Sequence, residues 1–490
     1  MINSAKLIEF LKKNYIGLFL IGLIFFIVIF SAATLTTKPR FWVDEAFTVE
    51  LAHNFLKFGE LDVRVGPDQF SGIPYLIQST GYPLTVSLAA VFSFFGFDLA
   101  IARIFMLALM AVFLIALFLF GKKLFGAGNA ILSLLLIATF SSFYASGRTA
   151  VGEIPGFILL IAGIYFWLIK DKYFWSGLFL GLAVAAKPSV FLLALPAMIL
   201  ALLVERQDFL KRILKIGLGV LPAIIVWILL VLEHPFLKTV WMEIVNFYKN
   251  PYGGATASNI INNLANFFQS TTLIYFGILF LVVILGRYWS SEEGRRRPFY
   301  NFVIFYGIIA FAYYLRSPGW LRYILIAEFL ILFALPQALT DIFSRFSAKG
   351  GSASGGKVSG IKMTGGKLTI IAVLLLAIIQ ITNLFTGAQI YYSDSAIKAA
   401  SFINKEFPGK SVWIADSFEA SVLLETDKKY QTVKVTGIAL IGNELVLDNY
   451  SPEVVVSLNN KDFTQSEKVI LDNKYDIFNN KAGYEIYILR

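Results

Sequence analysis

Residues 82–96 read Tyr-Pro-Leu-Thr-Val-Ser-Leu-Ala-Ala-Val-Phe-Ser-Phe-Phe-Gly, and whether this apolar stretch crosses a membrane decides the topology of the whole chain. Eleven other apolar segments have spanning or near-spanning length. They fall at about 15–36, 99–120, 128–146, 154–169, 173–187, 189–204, 214–232, 271–286, 299–315, 321–343 and 368–386. A hydrocarbon core of ~30 Å needs about twenty helical residues, so the shorter segments imply tilting or local thinning. Charge arbitrates. Suppose 82–95 stays out of the membrane and the N-terminus (Lys6, Lys12, Lys13) is cytoplasmic. The later inside loops then carry seventeen positive residues: Lys122, Lys123, Lys170, Lys172, Arg206, Lys211, Arg212, Lys215, Arg287, Arg295, Arg296, Arg297, Arg345, Lys349, Lys357, Lys362 and Lys367. The outside loops after the first carry five, namely Arg148, Lys187, Lys238, Lys249 and Arg316. If 82–95 crossed, every later loop would flip and the bias would invert. The positive-inside rule therefore makes it a juxtamembrane helix beside eleven spans. Loops 37–98, 147–153, 187–188, 233–270 and 316–320, and everything after 387, then share the outer face.

The bulk composition agrees. The 490 residues are 57% hydrophobic and 15% charged, with a mean hydropathy of +0.71, where a soluble domain has about a quarter charged residues. Aromatic residues reach 16%, which suits lipid-facing helices and interfacial belts. The chain has no cysteine, which excludes disulfides and thiolate chemistry, and its two histidines, His53 and His234, rule out a His/Cys metal cluster. The net charge of +10 lies in short runs between apolar segments, so nucleic acid is not an expected partner. The first apolar stretch, from Tyr15 to Ala33, runs into Thr-Leu-Thr-Thr-Lys-Pro instead of a small-residue cleavage site, and reads as a retained helix.

Two segments depart from the membrane pattern. The Gly/Ser/Lys stretch 349–367 has no core-forming residues and reads as a flexible cytoplasmic linker. Residues 387–490 mix a helical piece, Ser395 to Glu406, with β-branched runs at 411–414, 432–435, 453–457 and 484–489. The expected organisation is thus an α-helical polytopic membrane domain over 1–386 and a small extracytoplasmic α/β domain over 387–490. No Gly-rich phosphate fingerprint or catalytic cluster occurs in the tail, whose expected role is scaffolding or acceptor docking.

The candidate chemistry lies in the first outer loop, which opens Phe41-Trp42-Val43-Asp44-Glu45-Ala46-Phe47. Asp44 suits a helix N-cap, with Glu45 in the first turn and Phe47, Leu51, Phe55 and Phe58 at helical spacing. Equally, a carboxylate at the membrane face between Trp42 and Phe47 is partly desolvated, which raises its pKa and fits it to act as a general base. The two readings are compatible if the helix start holds Asp44 over a cavity. Arg148, Lys187, Arg316 and Arg322 stand at outer ends of spans, and Arg103 lies nearby in this topology. Taken singly, each is a residue snorkelling to headgroups. Lys187, in Ala185-Ala186-Lys187-Pro188-Ser189, sits in a turn too tight to be free in water.

An N-terminal helix followed at once by an Asp-Glu pair in a long outer loop resembles the GT-C glycosyltransferases. The likeness is greatest to the polyprenyl-phosphate-sugar-dependent branch, which holds the protein O-mannosyltransferases and lipid A aminoarabinose transferases (glycosyltransferase family 39 and relatives). Further pieces resemble it in order: Gly81-Tyr82-Pro83-Leu84 opening a juxtamembrane helix, Phe97-Asp98-Leu99-Ala100-Ile101-Ala102-Arg103 entering the next span, Arg148 with Glu153 in the second outer loop, and the late Trp320-Leu321-Arg322-Tyr323. The similarity covers about residues 10–340.

The resemblance implies inverting transfer of a hexose or pentose from a polyprenyl-phosphate donor to a hydroxyl of a protein, lipid or glycan. It makes Asp44 the base, Glu45 its partner and Glu153 a third catalytic acid, although many relatives carry Asp at that last position. Arg148, Lys187, Arg316, Arg322 and Arg103 become candidate phosphate ligands. Tyr82, Tyr248, Trp320 and Tyr323 become substrate contacts. No cofactor is expected. Asp44, Glu45 and Glu153 offer oxygens to a divalent ion, but the lack of a second acidic cluster weighs against a metal. The competing class is a lipid-linked-sugar flippase or transporter, which should carry ionisable residues near mid-span, whereas here the spans are nearly free of central charge. The expected location is the plasma membrane.

Overall fold

The computed structural model describes residues 4–206, 208–249, 256–290, 294–349, 364–387, 390–432, 434–435, 438–439, 447, 449–458, 463–478 and 483–490. Most of the linker at 349–367, and the Asn250–Gly254 turn, lie outside the described residues.

The chain opens with α1 (Ser4–Ala32), α2 (Val43–Phe58), a ribbon of β1 (Arg64–Gly66) and β2 (Gln69–Phe70), the single turn α3 (Pro74–Ile77) and α4 (Tyr82–Phe95). The bundle continues through α5 (Leu99–Leu124), α6 (Ala127–Thr139), α7 (Ser141–Gly147), α8 (Glu153–Leu168), α9 (Tyr173–Ala186), α10 (Pro188–Phe191), α11 (Ala194–Glu205) and α12 (Phe209–Val231). Next come α13 (Lys238–Lys249), α14 (Ala257–Gln269), α15 (Thr271–Trp289), α16 (Arg296–Arg316), a 3₁₀ turn at Leu321–Tyr323, α17 (Leu325–Lys349) and α18 (Gly365–Phe385).

Among the described residues, seven helices are long and apolar enough to cross a membrane: α5, α10 with α11, α12, α15, α16, α17 and α18. α6 and α7 together make an eighth, bent by 70°. Ile16–Ala32 of α1, together with α4, α8 and α9, are shorter apolar helices, and each of the eleven expected segments coincides with a member of these sets. α17 is buried along most of its length. α12 turns Leu210, Leu214, Leu218, Ile225 and Leu229 outward, as lipid-facing residues do.

Residues 82–95 form α4, which at 14 residues is about 21 Å long, the length of α9. It packs against α2 through its buried Leu84, Leu88, Ala89 and Phe92, while Phe94 and Phe95 are exposed. Its partner α2 carries Asp44, Glu45, Glu50, His53 and Lys57, a composition that belongs outside an apolar core. One detail differs from the sequence reading. The N-cap of α2 is Trp42, without a side-chain cap, so Asp44 stands inside the first turn and its carboxylate is free to reach outward.

After α18 the chain folds into α19 (Ser395–Glu406), β3 (Val412–Ile414), α20 (Phe418–Val422), β4 (Lys429–Tyr430), β5 (Lys434–Val435), β6 (Ile438–Ala439), β7 (Val454–Ser457), α21 (Gln465–Lys474), β8 (Tyr475–Ile477) and β9 (Glu485–Leu489). Five strands form one sheet in the order β4-β3-β7-β9-β8, parallel at β4-β3-β7 and antiparallel beyond. Alternation sorts its two faces. Val412, Ile414, Val454 and Val456 meet the α19 side, while Trp413 and Val455 meet Phe463 and Leu471 on the other. This small α/β unit sits on α2. Phe418 packs on Phe47 with ring centroids 4.6 Å apart, and the backbone N–H of Gln431 donates to the Val65 carbonyl. The Lys429 ammonium lies 2.7 Å from the fully buried Glu50 carboxylate. Burial pulls the His53 imidazole, stacked on Phe97, below its ordinary pKa range, so that at neutral pH the charge in this seam comes from its Lys, Arg, Asp and Glu residues.

Candidate active site

The first turn of α2 presents two adjacent acids to different surroundings. Asp44 meets two cations. Its Oδ2 accepts a hydrogen bond from Arg322 at 2.6 Å and lies 3.6 Å from the Lys187 ammonium, which is itself 3.9 Å from Glu153 Oε1. Lys187 is therefore a buried cation between two carboxylates. Arg322, on the 3₁₀ turn before α17, lies over the Trp320 ring at 4.4 Å and the Trp42 ring at 5.3 Å. Stacking of this kind holds a guanidinium in place while leaving its edge able to donate.

Backbone contacts set the position of Lys187. It precedes Pro188, which keeps it out of the helical region, and its φ of −153° and ψ of 87° end α9 there. A Cβ on Gly81 would stand 1.9 Å from the Ala185 carbonyl oxygen, and one on Gly152 would stand 2.1 Å from that of Ala186. The Gly81 N–H donates to the Ala186 carbonyl. Two glycines from separate loops thus let the turn approach backbone to backbone.

Glu45 points the other way. Its carboxylate takes both Nε and Nη2 of Arg103, at 2.9 and 2.6 Å, and also accepts from the Ala150 N–H at 3.0 Å. Arg103 donates in addition to the Leu35 and Pro39 carbonyls, and both partners are fully buried. Arg148 is likewise turned inward, donating to the Ser31 and Thr34 carbonyls and the Thr34 hydroxyl. These two arginines tie α1, α2, α5 and the second loop together around the site. They do not face the cavity.

The cavity beside Asp44 has a volume of about 470 Å³, and its walls include Arg40, Trp42, Glu153, Trp320, Arg322, Glu328 and Tyr391. Of the residues singled out in the sequence, Glu153, Trp320 and Arg322 line it, and Asp44 and Lys187 adjoin it through their contacts with Arg322 and Glu153. Tyr323 stacks behind Trp320 at 5.8 Å. Tyr82 packs with Leu61 and Ala185 and donates to the Ala223 carbonyl, away from the cavity lining. Arg316 is exposed and donates to the Lys249 carbonyl. The side chain of Tyr248 lies outside the described residues.

Arg40 and Glu328 were not singled out, although Glu328 carried a signal. It is an acid in the first turn of an apolar span, where ionisable residues are costly and by default functional. It stands at the end of its helix, not at the middle of the span.

Among the described residues, no three His, Asp or Glu side chains form a group that could hold a metal. The donor set fits a metal poorly, because Glu45 is committed to Arg103 and a cation already sits between Asp44 and Glu153.

A family model described as dolichyl-phosphate-mannose-protein mannosyltransferase matches residues 84–231. ArnT from Cupriavidus metallidurans in the apo state superposes with a TM-score of 0.59 at 14% identity, covering 97% of this chain and 98% of that one. The same protein bound to undecaprenyl phosphate gives 0.58 at 12%, over 95% and 97%. The archaeal oligosaccharyltransferase AglB from Archaeoglobus fulgidus, in complex with an inhibitory peptide and a dolichol-phosphate, gives 0.56 at 11%, over 98% and 75%. This is the GT-C fold. Together with the family-model match it indicates a multi-pass membrane glycosyltransferase. No curated protein sequence matches the chain.

Proposed function

We propose that this GT-C protein transfers a sugar from a polyprenyl-monophosphate donor to an acceptor hydroxyl, with inversion at the anomeric carbon and with Asp44 as general base. The observation that carries the reading is the placement of Asp44 between Arg322 and Lys187, beside a cavity that Arg322 and Arg40 line. The acceptor hydroxyl loses its proton to Asp44 as its oxygen attacks the anomeric carbon. The bond from that carbon to the phosphate oxygen breaks on the opposite face, and the lipid phosphate leaves with the bonding electrons. Arg322, Arg40 and Lys187 supply the positive charge that stabilises this leaving group. Glu45 and Arg103 hold the first turn of α2 at the angle this requires, and no metal takes part in the step.

Two facts support the donor class: ArnT has been captured with undecaprenyl phosphate and AglB with a dolichol-phosphate. The charge bias of the loops supports an outer-face site in the plasma membrane, with a cytoplasmic N-terminus and an extracytoplasmic tail. A transporter should carry ionisable residues near mid-span. Glu328 instead opens its helix beside the cavity.

The test is Asp44→Asn in purified protein supplied with polyprenyl-phosphate-linked sugars and a panel of protein, lipid and glycan acceptors. General-base catalysis contributes about 10²–10⁴-fold, so transfer should fall by at least about 100-fold. Full retained transfer would sink the assignment.

A further inference from the structure

Glu328 has no part in the chemistry above, and its surroundings call for one. It is 3% exposed, lines the cavity, and its Oε1 meets no hydrogen-bond partner in the protein. Glu153, from the first turn of α8, is also 3% exposed and leaves its Oε2 without a partner on the same cavity. A buried carboxylate oxygen without a donor costs stability, and two of them on one cavity mark groups that a ligand completes. A carboxyl oxygen accepts hydrogen bonds, so a ligand that brings donors completes both. A polyprenyl phosphate offers none of its own beyond the protons on its phosphate, whereas a sugar ring carries several hydroxyl or amino hydrogens.

We infer that Glu328 is a specificity-determining residue that accepts a hydrogen bond from the sugar of the lipid-linked donor, with Glu153 Oε2 as the second acceptor. The inference rests on the proposed function. It divides the cavity by chemistry: Arg40 and Arg322, with Lys187 behind them, take the phosphate, and the two acids take the ring. Removing the Glu328 acceptor should therefore erase discrimination between sugars while leaving recognition of the lipid phosphate intact.

The experiment measures binding to full-length protein in nanodiscs by quenching of intrinsic tryptophan fluorescence. The probes are a short-chain polyprenyl phosphate and the same lipid carrying mannose, glucose or 4-amino-4-deoxyarabinose. The wild type should bind at least one sugar-bearing lipid about tenfold more tightly than the bare phosphate, the scale of one good hydrogen bond. In Glu328→Leu that preference should vanish with the bare-lipid affinity unchanged. Glu328→Gln, which keeps an acceptor oxygen and guards against a folding defect in the leucine variant, should retain part of it. Unchanged sugar preference in Glu328→Leu, an equal loss for the bare phosphate, or a wild type without any sugar preference each overturns the inference. A wild type that binds none of the four lipids overturns instead the donor class on which it rests.

Discussion

Asp44 and Glu45 are neighbours in the chain and do opposite work because a helix turns successive side chains about 100° apart. Asp44 keeps 13% of its side chain exposed, while Glu45 is sealed with Arg103 at 0%. Two charges taken out of water are tolerable when each satisfies the other, and removing one leaves the other buried alone. Glu45→Gln and Arg103→Met should each destabilise the protein by about 3–5 kcal/mol, and the double variant by clearly less than the sum. Thermal unfolding in detergent checks this, and additive losses would show that the pair is not a unit. Arg322, by contrast, gains its geometry from aromatic stacking and from Asp44. Arg322→Lys keeps the charge but loses the planar fork, so KM for the lipid donor should rise by about tenfold in steady-state transfer assays while the melting temperature holds.

At the scale of elements, the site depends on how closely loops approach the end of α9. Gly81 opens α4 and Gly152 precedes α8, and the carbonyls of Ala185 and Ala186 occupy the space a methyl group would need on either. An alanine at either position must push the turn away and carry Lys187 with it. Misplacing a catalytic cation by about an ångström can cost about 100-fold in rate. Gly152→Ala should therefore lower transfer on that scale, with circular dichroism unchanged because no helix is interrupted. Normal activity in this variant would mean that the position of Lys187 does not matter.

At the scale of the whole molecule, the C-terminal α/β unit is fastened to the same helix that bears Asp44. Glu50 of α2 is fully buried and receives Lys429 at 2.7 Å and the Gln431 side-chain amide at 3.1 Å. The seam therefore lies two helical turns from the proposed base, and α2 joins the two. Lys429→Met leaves Glu50 buried without its cation and should loosen the unit. Limited proteolysis should release the tail faster than in the wild type, and transfer should fall in parallel. Release without any change in transfer would show that the tail is not needed to hold α2.

Hydropathy and charge are local properties that a chain cannot hide, so the membrane class, the apolar helices, that at 82–95 among them, and the α/β tail were legible in the sequence. The residue types of the site were legible too, since an Asp-Glu pair at the start of a loop and cations at span ends are conspicuous among apolar residues. Which cations meet which acid was not. Arg103 and Arg148 look like Arg322 in sequence, and only packing turns the first two inward onto Glu45 and the α1 carbonyls and the third outward onto Asp44. The same holds for Glu328: its acidic character is written in the chain, but its place on the cavity wall follows from how α17 threads the bundle. Pairing between residues hundreds of positions apart is decided by helix packing, and helix packing is the sum of contacts that no single stretch of sequence contains.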